Sequence, residues 1–277
     1  MGILLGLAAA LLYGTSDFGG GLLSRRLAPL PVNVMGGMGA AALAWAATLL
    51  TPGPGPGVRA IAWGLAAGLG GGAGNLALYR GLARGQMSVV GPVSAVGAAV
   101  VPVLAGLAMG ERPGLLTMAG VVLALPAIAL VAASGNRGRG MFRSAMGDGV
   151  LAGLAFGFLF VGLAQAGRGG GLWPVASEQS TSLLVVLAVA AKGRAPLRAP
   201  ARIAGQALLV GLGGMAATLL FCYATHAALL ASVAVIVSLY PGVTVLLARA
   251  VLHERFSRVQ RAGLGMCTLA VIAIALN

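Results

Sequence analysis

The chain has 277 residues, of which 59% are hydrophobic and only 8% charged, whereas a soluble domain carries about a quarter of its residues as charges. So few polar side chains cannot cover a water-facing surface, which excludes an ordinary soluble enzyme or binding module. The net charge of +13 comes from 18 Lys and Arg set in short connections between apolar runs. That placement serves membrane orientation and anionic lipid, and excludes a basic nucleic-acid-binding domain.

Ten apolar runs are predicted to be helices, near 2–23, 30–51, 59–80, 86–109, 114–134, 147–167, 172–191, 202–224, 229–252 and 258–276. About 20 residues at 1.5 Å per residue cross some 30 Å of hydrocarbon, so the expected fold class is an all-α polytopic membrane protein. The N-terminus lacks a basic segment and a cleavage site before its apolar run, and is read as the first helix.

The first run, GILLGLAAALLYGTSDFGGGLL, carries Asp17 with Tyr13 one turn before it on the same face. A carboxylate at bilayer depth costs at least about 2.5–3.5 kcal/mol, so it needs a partner or a task. Arg25 and Arg26 lie about two turns further on and offer a structural pairing; a substrate cation or a coupling proton is the functional one. The third run places Asn75 and Tyr79 one turn apart, and the fourth carries Pro92, Ser94 and Pro102.

Asp148 opens the sixth predicted run, where it would meet the positive end of the helix dipole. The seventh carries Glu178 within SEQST, the second acid expected at membrane depth. The eighth ends on Tyr223 and His226, and the ninth contains Ser238, Tyr240 and Pro241. The other two acids, Glu111 and Glu254, each precede an Arg at a helix end, where a solvated or structural role is expected.

Trp45, Trp63 and Trp173 fall near helix ends and read as interfacial belt residues. Cys222 and Cys267 read as small apolar residues within helices, and no metal-ligand spacing or nucleotide-binding loop occurs, so no metal or cofactor is expected. Small-residue spacings at Gly2/Gly6, Gly64/Gly68, Gly70/Gly74 and Gly149/Gly153/Gly157 are candidates for close helix contacts.

The two halves repeat. YRGLARGQMSVVGPVS at 79–94 aligns with YATHAALLASVAVIVS at 223–238, pairing Tyr79 with Tyr223 and Ser94 with Ser238. A shift of one residue then pairs Glu111-Arg112 with Glu254-Arg255 and Tyr13-Gly14 with Phe156-Gly157. The expected organisation is 1–135 as one five-helix repeat, 136–146 as a basic cytoplasmic linker and 147–277 as the second repeat. An odd number of helices per repeat inverts one copy against the other, the plan of many secondary transporters with a site near the midplane. Under this register Asp17 falls opposite Phe160 and Glu178 opposite Met35, so a symmetric fold would enclose a lopsided cavity.

Fifteen of the 18 basic residues fall in connections 1–2, 3–4, 5–6, 7–8 and 9–10. By the positive-inside rule these face the cytoplasm and both termini face outward, in the cytoplasmic (inner) membrane.

SVVGPVSAVGAAVVPVLAGLAMGERP in the first half and SVAVIVSLYPGVTVLLARAVLHERFSRVQRAGL in the second, with the opening LLYGTSDF, resemble the EamA type of the drug/metabolite transporter superfamily. The resemblance spans essentially the whole chain; AVGAAV stands where the second copy has LYPGVTV, and HER where the first has GER. It implies secondary transport of a small metabolite, an amino acid or a related amphipathic solute, with export as the expected direction. A channel or facilitative pore is the alternative. An intramembrane enzyme is not expected, because GTSD only superficially matches GxSG and no further protease motif occurs. The candidate substrate-binding residues are Tyr13, Asp17, Asn75, Tyr79, Glu178, Tyr223 and Ser238. The expected partners are a small-molecule substrate, the lipid bilayer and protons, and one chain suffices for a complete transporter.

Overall fold

The computed structural model describes every residue except 54, 85–86, 111, 134–138, 168–169, 195, 228–236, 238–239, 254–256 and 277; for 88, 131–133, 139–143, 225–227, 260 and 275 it describes the backbone alone. Among the described residues ten α-helices run in chain order: α1 (Gly2–Arg26), α2 (Pro29–Leu50), α3 (Val58–Ala83), α4 (Met87–Ala108), α5 (Leu115–Ala133), α6 (Arg139–Ala166), α7 (Trp173–Lys192), α8 (Ala201–Ala227), α9 (Tyr240–Leu252) and α10 (Arg258–Ala275). Seven of these are long and apolar enough to cross a membrane, and apolar segments of α5, α9 and α10 are shorter. With no water to bond a bare backbone, a helix that satisfies its own N–H and C=O groups is the economical way across.

Proline and glycine mark the ends, as the sequence implied. Pro29 starts α2 and Pro174 is the second residue of α7, where a missing N–H costs nothing. Between them lie the Pro/Gly-rich segment before α3 and the left-handed Gly167 and Gly171 after α6, at φ 77° and 52°. Pro92, Pro102 and Pro126 lie inside α4 and α5.

One boundary departs from expectation. α6 starts at Arg139 rather than near 147, so the second part of the expected 136–146 linker is helical. Arg139–Met146 contains no proline, and its Arg, Met, Phe and Ala residues all sustain a helix beyond the apolar span. Asp148 is therefore the tenth residue of its helix, too far from the N-terminus to meet the dipole there.

The carboxylate of Asp148 is used differently. It is almost fully buried, and it binds two guanidinium groups, that of Arg80 on α3 and that of Arg84 just past the end of α3. Arg80 reaches it at 2.6 Å through one nitrogen and donates a second bond from Nε at 2.7 Å, while Arg84 pairs with the other oxygen. This triad ties the first half of the chain to the second.

Helix contacts follow the repeat. The third helix of the first half, α3, packs against α6 and α7, and the third of the second half, α8, packs against α1 and α2. Likewise α4 packs against α6, and α9 against α1, while α5 meets its own counterpart α10. Each half thus makes its main contacts with the other, not with itself.

Glycine permits these contacts. On α3, a Cβ at Gly64 or Gly68 would strike the α7 backbone near Pro174 and Glu178, and one at Gly70 the α6 backbone at Ala155. A Cβ on Gly211 of α8 would strike the carbonyl oxygen of Gly36 on α2, and Gly97 of α4 abuts Gly153 of α6. The spacings at 64/68, 70/74 and 149/153/157 all lie in such contacts. Large apolar side chains such as Leu69, Leu125, Leu184, Leu209 and Leu246 point outward, as lipid-facing residues do.

Two stability results are expected. Gly211→Ala should lower the thermal transition of the purified protein, by the equivalent of about 1–3 kcal/mol for an overpacked contact. Gly205→Ala on the same helix, where a Cβ meets open space, should be neutral or raise it. For the triad, the double variant Arg80→Ala/Arg84→Ala should be less stable than Asp148→Ala. Removing both cations strands a buried carboxylate, whereas removing the acid frees two half-exposed arginines to reach solvent.

Candidate functional site: a cavity between the halves

A cavity of about 330 Å³ lies among α1, α2, α3, α6, α7 and α8, capped by Tyr240 at the start of α9. The two contact sets described above make it: α3 with α6 and α7 on one side, α8 with α1 and α2 on the other. Five of the seven expected residues line it, namely Tyr13, Asp17, Asn75, Tyr79 and Glu178. Asp17 lies about 22 Å along α1 from Gly2, at 1.5 Å per residue.

Each side chain is placed by a neighbour that yields space. Tyr79 lies on Gly20 of α1, where a Cβ would enter its ring. The Glu178 carboxyl group fits against Gly71 of α3, and Ser16 of α1 against Gly213 and Gly214 of α8. Tyr13 is fixed at its tip by a hydrogen bond of 2.8 Å to Thr218 Oγ1, and its ring packs on Tyr240 with centroids 5.8 Å apart. Thr218 in turn bonds the carbonyl of Gly214, so the contact is anchored in α8.

The two acids are alike in having no basic neighbour among the described residues. Among the described residues neither Asp17 nor Glu178 forms an ion pair, and no Lys, Arg or His lines the cavity. The pairing of Asp17 with Arg25 or Arg26 that the sequence allowed is not formed; Arg25 Nε instead reaches the carbonyl of Leu82 at 3.3 Å. Glu178 is 3% exposed, with Gln179 and Ser182 beside it in the lining.

Two candidates fall elsewhere. Tyr223 is 52% exposed and faces away from the cavity. It lies five residues beyond Thr218 on α8, about 140° round the helix from the lining face at 100° per residue, so it does not share the placement of its repeat mate Tyr79. Ser238 lies outside the described residues, as do Glu111, Glu254 and the His226 side chain. Ser94 is buried, with its hydroxyl donating to the Gly91 carbonyl at 2.8 Å, and does not reach the cavity.

The repeat register is visible in the walls, with altered chemistry. Tyr13 meets Thr218, while its counterpart Phe156 lies against Gly74. Asp17 and its counterpart Phe160 both line the cavity, but Met35, opposite Glu178, packs instead with Leu23, Val32 and Ala207. The α6 wall is apolar, with Phe156, Leu159, Phe160 and Leu163.

Four polar lining residues, Ser16, Asn33, Ser182 and Thr218, are not among the residues that the sequence singled out. Asn33 is the one that left a signal, an amide in an otherwise apolar run just after the Pro29 helix start. Its Nδ2 donates to the Pro29 carbonyl at 2.8 Å, which leaves its oxygen as the freer end. Thr218 left none, being one of several small residues in Gly213–Thr218, and only its contact with Tyr13 marks it.

Of the tryptophans, Trp45 and Trp173 pack edge to face at 5.8 Å, and Trp45 Nε1 donates to Ser180 Oγ at 2.9 Å. This ties α2 to α7 close to Glu178. No His/Cys/Asp/Glu cluster fit for a metal ion occurs among the described residues.

The sequence matches the model of the EamA-like transporter family twice, over residues 1–133 and 145–276. No curated protein matches the chain in sequence. The two matched segments together cover nearly the whole chain and fall on the two halves whose reciprocal packing forms the cavity. The chain belongs to the EamA-like transporter family and is a multi-pass membrane transporter of the drug/metabolite transporter type.

Proposed function

We propose that the protein is a secondary transporter that exports a small amphipathic metabolite, an amino acid or a relative of one, across the cytoplasmic membrane by alternating access. The observation that carries this reading is the cavity itself. It is formed jointly by the two halves, with carboxylates on α1 and α7 and an apolar wall on α6. Rocking one half against the other around such a site would expose it to each side of the membrane in turn.

In this reading Asp17 and Glu178 hold the charged end of the solute or a coupling proton, Asn75 and Asn33 supply neutral hydrogen bonds, and the α6 wall takes the apolar end. One chain encloses the cavity, which supports a monomeric unit. The basic connections on one side of the membrane support outward-facing termini.

Counterflow in proteoliposomes tests this. Vesicles loaded with an unlabelled solute should accumulate a labelled trace of the same solute saturably, and Asp17→Asn should remove at least about nine-tenths of the initial rate. A solute leak that never saturates, with no counterflow for any class tried, would replace the carrier with a channel.

A further inference from the structure

The lining has a charge pattern that narrows the solute. Two carboxylates enter it, one on α1 and one on α7, and among the described residues no basic side chain does. Glu178 is nine-tenths buried and more, yet it faces this space and meets no cation among the described residues. The eighteen basic residues of the chain are not scarce; the described ones simply lie outside the cavity. Asp148, the other buried acid among the described residues, has two arginines to itself. Among the described residues counter-charge is thus supplied locally, at Asp148 and not at Asp17 or Glu178.

The aromatic residues agree with that pattern. Tyr13 from α1, Tyr79 from α3 and Tyr240 from α9 all line the cavity on the Asp17 side. Tyr13 and Tyr240 stack obliquely, 5.8 Å between centroids and 53° between planes, and the Tyr13 hydroxyl is already committed to Thr218. The ring of a tyrosine attracts a cation that comes within about 6 Å of its centroid over the face. A carboxylate beside fixed tyrosine rings is the chemistry that receives an ammonium group.

The opposite end of a free amino acid is not served in the same way. Its carboxylate would enter a space with two negative groups and only neutral donors. Asn33 has spent one of its two donors on the Pro29 carbonyl, and the remaining donors, on Asn33, Asn75, Gln179 and the hydroxyls of Ser16, Ser182, Tyr79 and Tyr240, are all uncharged. Amides and hydroxyls can solvate a carboxylate but do not offset the repulsion of two like charges at low dielectric.

Resting on the transporter reading above, we propose that the substrate is an organic amine bound as its ammonium ion, with an apolar body and no free carboxylate. The ammonium sits between Asp17 and the tyrosine rings, the apolar body lies along the Phe156 and Phe160 wall, and Glu178 neutralises a second amino group or carries the exchanged proton. This narrows the class proposed above to the amine relatives of amino acids, with the zwitterionic amino acids themselves and organic anions binding more weakly.

Equilibrium binding to the purified full chain, with matched probes, tests this apart from transport. Tryptamine and phenethylamine would be compared with tryptophan and phenylalanine, and with indole-3-acetate and phenylacetate. The amines should bind saturably and at least about tenfold more tightly than either matched set, a difference of about 1.4 kcal/mol. Asp17→Asn should erase the preference and Asp17→Glu should keep it, with gel filtration showing both variants monodisperse. If the amino acids or the anions bind as well as the amines, or if no amine binds, the inference is overturned. Counterflow of tryptophan with no amine preference would sink it while leaving the carrier standing. Preferential amine binding without counterflow would keep it and remove the carrier instead.

Discussion

Hydrocarbon offers a helix nothing but dispersion. There is no water to be released when two apolar helices meet in lipid, so association depends on how many atoms come into contact and how closely. The structure answers with glycine wherever halves of the chain cross: Gly36 on Gly211, Gly97 against Gly153, and the α3 stripe of Gly64, Gly68 and Gly72 against α7. A side chain at any of these would hold the backbones apart. The buried set is accordingly dominated by alanine and valine with these glycines, while many leucines lie outside. The site inherits its precision from the same contacts, because Gly20 and Gly71 set where Tyr79 and Glu178 rest.

Duplication then supplies the geometry of the cavity, and divergence supplies its chemistry. Two copies of a five-helix unit pack reciprocally, so that equivalent positions approach the same space from opposite sides. One copy offers Tyr13 and Asp17 there, and the other offers Phe156 and Phe160. A two-fold site of identical halves would favour a symmetric ligand. This one has a charged face and an apolar face, and the Tyr13–Thr218 bond against the bare Phe156–Gly74 contact shows the same divergence one turn away. Polar function is concentrated where the symmetry is broken.

Much of the site is legible in the order of residues, for simple reasons. A carboxylate inside an apolar run is expensive, so Asp17 and Glu178 stand out by their cost alone. Tyr13 and Asn75 follow because a helix places i and i+4 on one face. Expectation fails where the answer depends on a partner far along the chain. Asp148 sits inside its helix instead of at its start, and it is held by Arg80 and Arg84 some 64 residues and more away. Tyr223 shares a register with Tyr79 but not an orientation, since repeat position says nothing about which face of α8 turns inward.

Composition, apolar run length and the internal repeat therefore determined, from sequence alone, that this chain is a helical membrane protein of two five-helix halves. Those properties are local or periodic, and the bilayer imposes them on each segment separately. Tertiary structure decided which acids keep a counter-ion. The order of residues puts Asp17 inside an apolar run and Asp148 at the opening of one, yet neither position says which of the two meets a cation. Only the crossing of α3 with α6 brings two guanidinium groups to Asp148, and the enclosure by α1, α3, α7 and α8 leaves Asp17 and Glu178 facing a space with none among the described residues. Electrostatic pairing acts over a few ångströms in space, and at that range helix packing determines the neighbours that the order of residues does not.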